Sequence, residues 1–167
     1  QRKVPYFPLN VHSAFDTLTN KEQLYAHHMA WASWHGFSAC AQQVSAESPV
    51  LLHEFYKLFS KNTVNELGAA CVAQNTEENA KKSGEEDTED RSSQKANVTE
   101  DEFEQFLEYF ALLYSNSGNY LSFGDTKFIP ACSRQVFETV LESAPVQTHH
   151  FSSELLESVY DLSKSEK

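Results

Sequence analysis

Residues 114 to 128 read YSNSGNYLSFGDTKF, and this stretch decides how the chain is expected to fold. Two glycines, two asparagines and one aspartate stand here among four aromatic residues, directly behind a helical pattern. A flexible spacer would lack the rings, and a buried strand would lack the glycines. The mixture predicts an ordered loop, held by buried rings, whose backbone passes close to another part of the molecule.

The elements around this loop are predicted to be mainly helical. Thr99 and Glu102 form a capping box that starts the preceding helix, and residues 120 to 129 are expected to include two short strands around residues 123 to 125. Ser133 and Ser152 are expected to cap two further helices. The apolar positions of these three helices recur at helical spacing: Phe103, Phe106, Leu107, Phe110, Val136, Phe137, Val140, Leu141, Leu155, Leu156 and Val159.

The N-terminal half shows the same signals. A capping box at Thr19 and Glu22 predicts a helix over residues 20 to 43, and its apolar face comprises Leu24, His28, Trp31, Ala32 and His35. Ser48 and Pro49 are the expected N-cap and first residue of a second helix, and residues 64 to 72 predict a short third one. The predicted fold class is therefore mainly α with a small β element (α+β).

The composition changes abruptly between residues 74 and 95. Seven acidic and four basic residues lie there among polar ones, and Ala80 is the only apolar side chain. Such a segment cannot bury enough surface to offset its ordering entropy, so we expect disorder. Residues 1–18 are predicted to form an extended arm, 19–73 a helical segment and 74–98 an acidic disordered insert. Residues 99–162 are predicted to form a helix, the loop and the last helices of the same unit, and 163–167 a tail.

Bulk properties exclude several classes of partner. A formal net charge of -11 disfavours nucleic acids and anionic membranes, which need clustered Lys and Arg. No apolar run approaches the roughly 20 residues of a membrane span, and residues 1 to 5 do not resemble a signal peptide. Three widely spaced cysteines favour reduced thiols. We therefore expect a cytoplasmic globular protein.

The histidines do not have the spacing of a metal site. A helical zinc site needs two His about one turn apart with a Glu beside the first, and His53-Glu54 has no second His at that distance, which predicts an exposed pair on an amphipathic helix. His28 and His35 are two turns apart, and we expect His28 at the edge of the core. His149 and His150 form an isolated pair in a turn. No catalytic residue and no metal ligand is predicted in this chain.

The loop from 114 to 128 resembles the N-terminal region of the dipeptidyl-peptidase III family. The family pattern is Tyr-Ser-Asn-x-Gly-Asn-Tyr-x-Ser-Phe-Gly-Asp-Thr-Lys-Phe, and every fixed position agrees. Residues 24–29 and 32–36 are similar to the family's first long helix, although Phe37 stands where the family has the second glycine of a pair. Residues 45–49 match the family's Ser-Pro-Glu-x-Pro turn less closely. The resemblance covers residues 13 to 142 with one interruption.

This resemblance implies a function. The family comprises two-lobed cytosolic zinc exopeptidases that remove dipeptides from the N-termini of oligopeptides in the cleft between the lobes. The chain would be the N-terminal part of the lobe opposite the zinc, and the zinc motif His-Glu-x-x-Gly-His would lie beyond residue 167. The implied cofactor is zinc in the full-length parent and none in this segment, which alone would be inactive. The implied partners are the oligopeptide substrate and the remaining chain of the parent.

Three residues of the loop are candidates for substrate binding. The resemblance implies that Phe123 lines a peptide-binding subsite, and the alternative is a core aromatic residue that fixes a tight turn. Asn116 and Asn119 could bond the substrate backbone, with capping of the preceding helix as the alternative. Asp125 and Lys127 are expected to form a local ion pair that contributes less than about 1 kcal/mol.

A second class of function is compatible with the residues. The chain could be a truncated, non-catalytic helical interaction module. A complete reading frame that continues into the His-Glu-x-x-Gly-His region would favour the enzyme, whereas a natural stop near Lys167 would favour the module.

Overall fold

The computed structural model describes residues 9–81, 97–121 and 126–163, and for residues 73–81 it describes the backbone alone. These residues form helices and a two-stranded antiparallel sheet, which confirms the predicted mainly α fold with a small β element. The elements in chain order are α1 (His12–Asp16), α2 (Asn20–Val44), α3 (Ser48–Lys61), α4 (Val64–Lys81), α5 (Glu100–Ser115), β1 (Tyr120–Leu121), β2 (Thr126–Lys127), α6 (Arg134–Glu142) and α7 (Ser153–Tyr160).

The predicted helix starts depend on short-range hydrogen bonds that the structure confirms. At the start of α2 the Glu22 carboxylate accepts the Thr19 backbone N–H at 2.8 Å, and the Thr19 hydroxyl oxygen accepts the Glu22 N–H. The same reciprocal pair starts α5. The side chains of Ser133 and Ser152 cap α6 and α7. Each cap satisfies backbone donors that the first helical turn leaves without an intrahelical partner.

The start of α3 differs from the prediction. Ser48 was expected to be the N-cap, but it lies inside the helix and Glu47 occupies the cap position without a side-chain cap bond. The Ser45 hydroxyl oxygen accepts the Ser48 N–H at 3.1 Å instead. Ser48 is therefore free to direct its own hydroxyl toward Asn119, at 3.0 Å.

Two helical stretches lie in segments that were expected to be irregular. Residues 12–16 of the arm form α1, and the Asn10 side chain accepts the His12 N–H at 3.2 Å at its start. The backbone of α4 continues past the predicted end at residue 72 into the acidic segment, as far as Lys81. The Gln, Glu, Ala and Lys residues there are good helix formers even without burial. Residues 1–8, the rest of the acidic segment from 82 to 96 and residues 164–167 lie outside the described residues.

The core is centred on the ring of Phe55 on α3, which is fully buried. Rings from α3, α5, α6 and the segment before α7 surround it at centroid distances of 5.1 to 6.3 Å: Phe59, Phe106, Tyr109, Phe110, Phe137 and Phe151. Tilted and edge-on aromatic pairs of this kind add to the free energy gained from burial. Phe55 therefore joins helices from both halves of the chain into one core.

Helix α2 joins this core near its C-terminal end. Of α2, which is described throughout, Ala41 alone is buried, and the Phe37 ring packs against Tyr114 of α5 at 5.2 Å. The apolar face predicted from the sequence is exposed, and the expectation that His28 lies at the edge of the core is wrong. In the part of the chain that the structure describes, no helix is both long and apolar enough to cross a membrane.

We expect Phe55→Ala to lower the free energy of unfolding by about 3–5 kcal/mol, because it removes a large buried ring and leaves a cavity. Tyr56→Ala is the matched control, since Tyr56 is its neighbour on α3 and is 63% exposed; its effect should stay within about 0.5 kcal/mol. Urea denaturation of both variants measures the difference. Similar losses in the two variants would contradict a core centred on Phe55.

Candidate functional site

The loop behind α5 begins with a Schellman motif. The Gly118 N–H donates to the Leu113 carbonyl at 2.9 Å and the Ser117 N–H to the Tyr114 carbonyl at 3.4 Å, which is the paired pattern of that motif. Ser117 has φ of 56° and takes the left-handed position that glycine usually occupies. Glycine therefore stands one residue later than helix-capping rules alone would place it.

Gly118 is required by a close approach to the turn between α2 and α3. A Cβ atom added to it would lie 2.6 Å from Val44 Cγ1 and would also collide with the Ser48 hydroxyl. A side chain at Gly118 would therefore separate the loop from the turn. This close approach confirms the expectation that the backbone of the loop passes close to another part of the molecule.

Asn116 caps α5. Its side-chain amide donates to the Leu112 carbonyl at 2.9 Å, and its own backbone N–H donates to the same carbonyl. The residue is half-buried. Capping was the alternative to substrate binding for this residue, and the structure shows the capping bond.

Asn119 is fully buried against the turn between α2 and α3. Its side-chain oxygen accepts from the Ser45 hydroxyl at 2.9 Å and from the Ser48 hydroxyl at 3.0 Å. Its side-chain amide donates to a Glu47 carboxylate oxygen. The contacts of Asn119 thus connect two of the segments that carry the family resemblance, 45–49 and 114–128.

Lys127 is buried further along the loop. Its Nζ lies 2.5 Å from Glu47 Oε1 and donates to the Ser158 carbonyl of α7 at 2.6 Å. The Lys127 side chain has no exposed surface and that of Glu47 is 14% exposed. Asp125, the partner expected from the sequence, lies outside the described residues. The structure therefore shows Lys127 in a long-range ion pair with the α2–α3 turn.

Strands β1 and β2 hold the ends of the segment between them at a fixed separation. Tyr120 pairs with Lys127 and Leu121 with Thr126, and the backbone of the loop is closed below them by a bond from Phe128 N–H to the Asn119 carbonyl at 3.0 Å. Residues 122–125, which connect the strands, lie outside the described residues. The predicted role of Phe123 in a peptide subsite therefore stays a prediction.

Tyr109 of α5 lies beneath the loop and packs edge-on against Phe128 at 5.6 Å. Its hydroxyl is buried and has no hydrogen-bond partner among the residues that the structure describes. Burial raises the pKa of the Tyr109 phenol well above its ordinary value, and the nearby charge of Glu47 adds to the effect. Tyr109 is therefore a neutral core residue.

Glu54 is buried, so the prediction of an exposed His53-Glu54 pair is wrong for its second member. Its carboxylate accepts from Lys57 Nζ at 2.8 Å and from the backbone N–H of His150. Burial alone would raise the pKa of Glu54, but these hydrogen bonds outweigh it and the pKa lies below its usual value. Glu54 attaches the segment before α7 to α3, and nothing local in the sequence indicates a partner so far along the chain.

The remaining histidines do not come together with other ligands. His149 is half-buried, and burial lowers the pKa of its imidazole. Among the side chains that the structure describes, in residues 9–72, 97–121 and 126–163, no three of His, Cys, Asp or Glu are placed to hold a metal ion. What the described residues form at this site is a set of hydrogen bonds and an ion pair that hold the hairpin. We call this set of residues the loop anchor: Ser45, Glu47, Ser48, Asn119 and Lys127.

Comparison with known proteins identifies the family. The chain is 40% identical over 136 residues to "Dipeptidyl peptidase 3" of Nematostella vectensis, a match that covers 81% of this chain. The chain belongs to the dipeptidyl peptidase 3 family. The dipeptidyl peptidase 3 proteins of Dictyostelium discoideum and Homo sapiens are 35% and 32% identical over 84% and 85% of the chain.

The match is limited to one part of the dipeptidyl peptidase 3 sequences. The chain spans 16% to 17% of the length of these curated relatives. No family model matches the chain, and no solved structure matches it. The relationship to dipeptidyl peptidase 3 therefore rests on the identity of one segment with several relatives.

We expect Lys127→Met to lower the free energy of unfolding by about 3–5 kcal/mol, because it leaves the Glu47 carboxylate without its cationic partner in a largely buried site. Arg134→Met is the matched control. Arg134 also pairs with a carboxylate at 2.8 Å, that of Glu138, but both side chains are more than a third exposed, so the loss should be about 1 kcal/mol or less. Equal losses in urea denaturation would contradict the structural importance of the buried pair.

Proposed function

We propose that this chain is the N-terminal segment of a cytoplasmic, dipeptidyl-peptidase III-like zinc metallo-exopeptidase that releases dipeptides from the N-termini of oligopeptides. The observation that carries the proposal is the 40% identity to a relative named dipeptidyl peptidase 3 over most of the chain. The unbroken agreement of residues 114–128 with the family pattern supports it.

In this proposal the chain forms part of the wall of the substrate cleft, in the lobe opposite the zinc. Phe123 contacts the peptide from the hairpin that β1 and β2 define. A side chain that positions a substrate needs a rigid base, because errors of about 1 Å already reduce catalysis. The loop anchor supplies such a base with buried bonds from Asn119 and Lys127.

Asn119 contributes to substrate binding as part of this base, and Asn116 contributes by capping the helix that leads into the hairpin. Asn119 has no exposed surface, and the Asn116 amide is bonded to the end of α5. Both residues therefore position the hairpin, and Phe123 is the residue of the three that we propose to touch the peptide.

In this proposal the remaining chain of the parent holds the zinc ion. The finding that no three His, Cys, Asp or Glu side chains among the described residues are grouped for a metal supports this assignment. In the parent, bound zinc would polarise the scissile carbonyl and activate water. The chain described here would contribute orientation of the peptide. A truncated, non-catalytic helical interaction module is the second candidate, and the exposed aromatic side chains of α2 favour it.

Expression of the complete reading frame tests the proposal. The purified parent should release dipeptides from the N-terminus of an oligopeptide, identified by mass spectrometry, and contain about one zinc per chain after dialysis. The 167-residue chain alone should do neither. A parent that does not hydrolyse peptides, or a zinc ion held tightly by the short chain, would contradict the proposal.

Phe123→Ala in the parent should lower kcat/KM about tenfold or more, which corresponds to about 1.4 kcal/mol of transition-state stabilisation. Its midpoint of thermal unfolding should change much less than that of Phe106→Ala, because Phe106 is fully buried in the core and its truncation costs about 3–5 kcal/mol. Normal kinetics together with a large loss of stability would make Phe123 a core residue.

A further inference from the structure

Helix α2 exposes a face with the regular spacing of a packing surface. Leu24, His28, Trp31 and His35 recur at intervals of four, three and four residues, so they share one side of the helix. We call this face the α2 stripe. Leu24 and Trp31 are each 57% exposed, and the Trp31 ring lies 5.7 Å from that of His35.

The α2 stripe differs from an ordinary solvent-facing helix surface in its charge. Between Glu22 and Glu47 the sequence contains no Asp, Glu, Lys or Arg, although such residues make up 22% of the chain. A helix that faces water on one side normally has charged and polar residues there. This helix instead has apolar, aromatic and histidine side chains along an exposed face, and Ala41 is its one buried position.

The segment before α2 also carries exposed apolar side chains. The Gln23 side chain donates to the Phe15 carbonyl at 3.1 Å and ties α1 to the start of α2. The segment that includes α1 exposes further apolar side chains: Leu9, Val11, Phe15 and Leu18. Clusters of exposed apolar residues mark surfaces that another protein segment covers.

We propose that the α2 stripe is a docking surface for the remainder of a dipeptidyl peptidase 3-like chain. This inference rests on the proposed function. The chain matches 16% of the Nematostella vectensis relative, so most of that relative's length is available as the occupant. A neutral, aromatic surface is typical of permanent contacts, which resemble a domain core cut in two.

Charge disfavours two other occupants. An anionic membrane would repel a chain with a formal net charge of -11. A second copy would bring two such charges together and would place the same histidines, His28 and His35, on both sides of the contact. Both occupants remain as outcomes of the test.

The accessibility of a single cysteine tests the inference. In a Cys40→Ser background, which removes the exposed native cysteine, Leu24→Cys reports on the α2 stripe and Lys61→Cys on an exposed, charged position of α3. Each variant is prepared as the 167-residue chain and as a chimera, in which the chain replaces its matching segment in the Nematostella vectensis relative. The rate of maleimide labelling is measured in both.

We expect Leu24→Cys to react at least about tenfold more slowly in the chimera than in the isolated chain, with less than about a twofold change for Lys61→Cys. A folded chimera with a fully reactive Leu24→Cys overturns the inference. If Leu24→Cys is already protected from maleimide in the isolated chain and that chain sediments as a dimer, a second copy covers the α2 stripe and the inference is overturned. If anionic vesicles protect Leu24→Cys of the isolated chain and the chimera does not, a membrane covers the α2 stripe and the inference is overturned.

Two further measurements keep every outcome decisive. If the chimera does not fold, the relative without its matching segment is added to the labelled chain, and absence of protection overturns the inference. Peptide hydrolysis by the chimera is measured separately. If Leu24→Cys is protected but the chimera does not hydrolyse peptides, the docking surface is supported and the proposed function is contradicted. If the chimera hydrolyses peptides but Leu24→Cys stays reactive, the proposed function is supported and the docking surface is contradicted.

Discussion

The Glu47 carboxylate accepts a hydrogen bond from the side-chain amide of Asn119 and forms an ion pair with the ammonium of Lys127, in a site from which water is largely excluded. Both donors belong to the loop behind α5, and Glu47 belongs to the turn between α2 and α3. A carboxylate in such a site is costly unless its hydrogen bonds are made. This carboxylate is therefore the group to which both ends of the hairpin are bonded, in addition to the bonds of Asn119 with Ser45 and Ser48 and of Lys127 with Ser158.

The loop anchor also explains why the sequence pattern around the turn is unusual. Ser45 and Ser48 both direct their hydroxyls to the side-chain oxygen of Asn119, and Gly118 has to lack a side chain for this contact to form. Ser117 accordingly takes the left-handed residue position at the end of α5. The serines, the glycine and the asparagine of the two family-like segments thus form one hydrogen-bonded unit.

Much of the helical structure could be predicted because its determinants are local. Capping boxes, such as that of Thr19, and helical periodicity involve residues three or four positions apart. The role of Ser48, the burial of Glu54 and the partner of Lys127 depend on residues 71, 96 and 80 positions away, and no local pattern encodes such pairs. The loop was recognised as ordered and closely packed, but its contacts could not be derived from one sequence.

The exposed side of α2 shows a different limit of sequence analysis. The periodicity of Leu24 and Trp31 correctly indicated a helix. It also indicated a buried face, which the described part of the chain does not bury. Periodicity reports that a face suits packing without reporting what packs on it. The difference between the predicted and the observed burial is therefore informative about a neighbour.

The contact between Ser48 and Asn119 has a consequence for the acidic segment. These two residues are 71 positions apart, and the chain between them includes residues 74 to 98. Closing a flexible loop costs conformational entropy that rises only with the logarithm of its length, by about 0.6 kcal/mol for each doubling. By this relation, changing the number of residues between Lys81 of α4 and Glu100 of α5 alters the cost of bringing the turn and the hairpin together by less than about 0.6 kcal/mol, unless the length doubles.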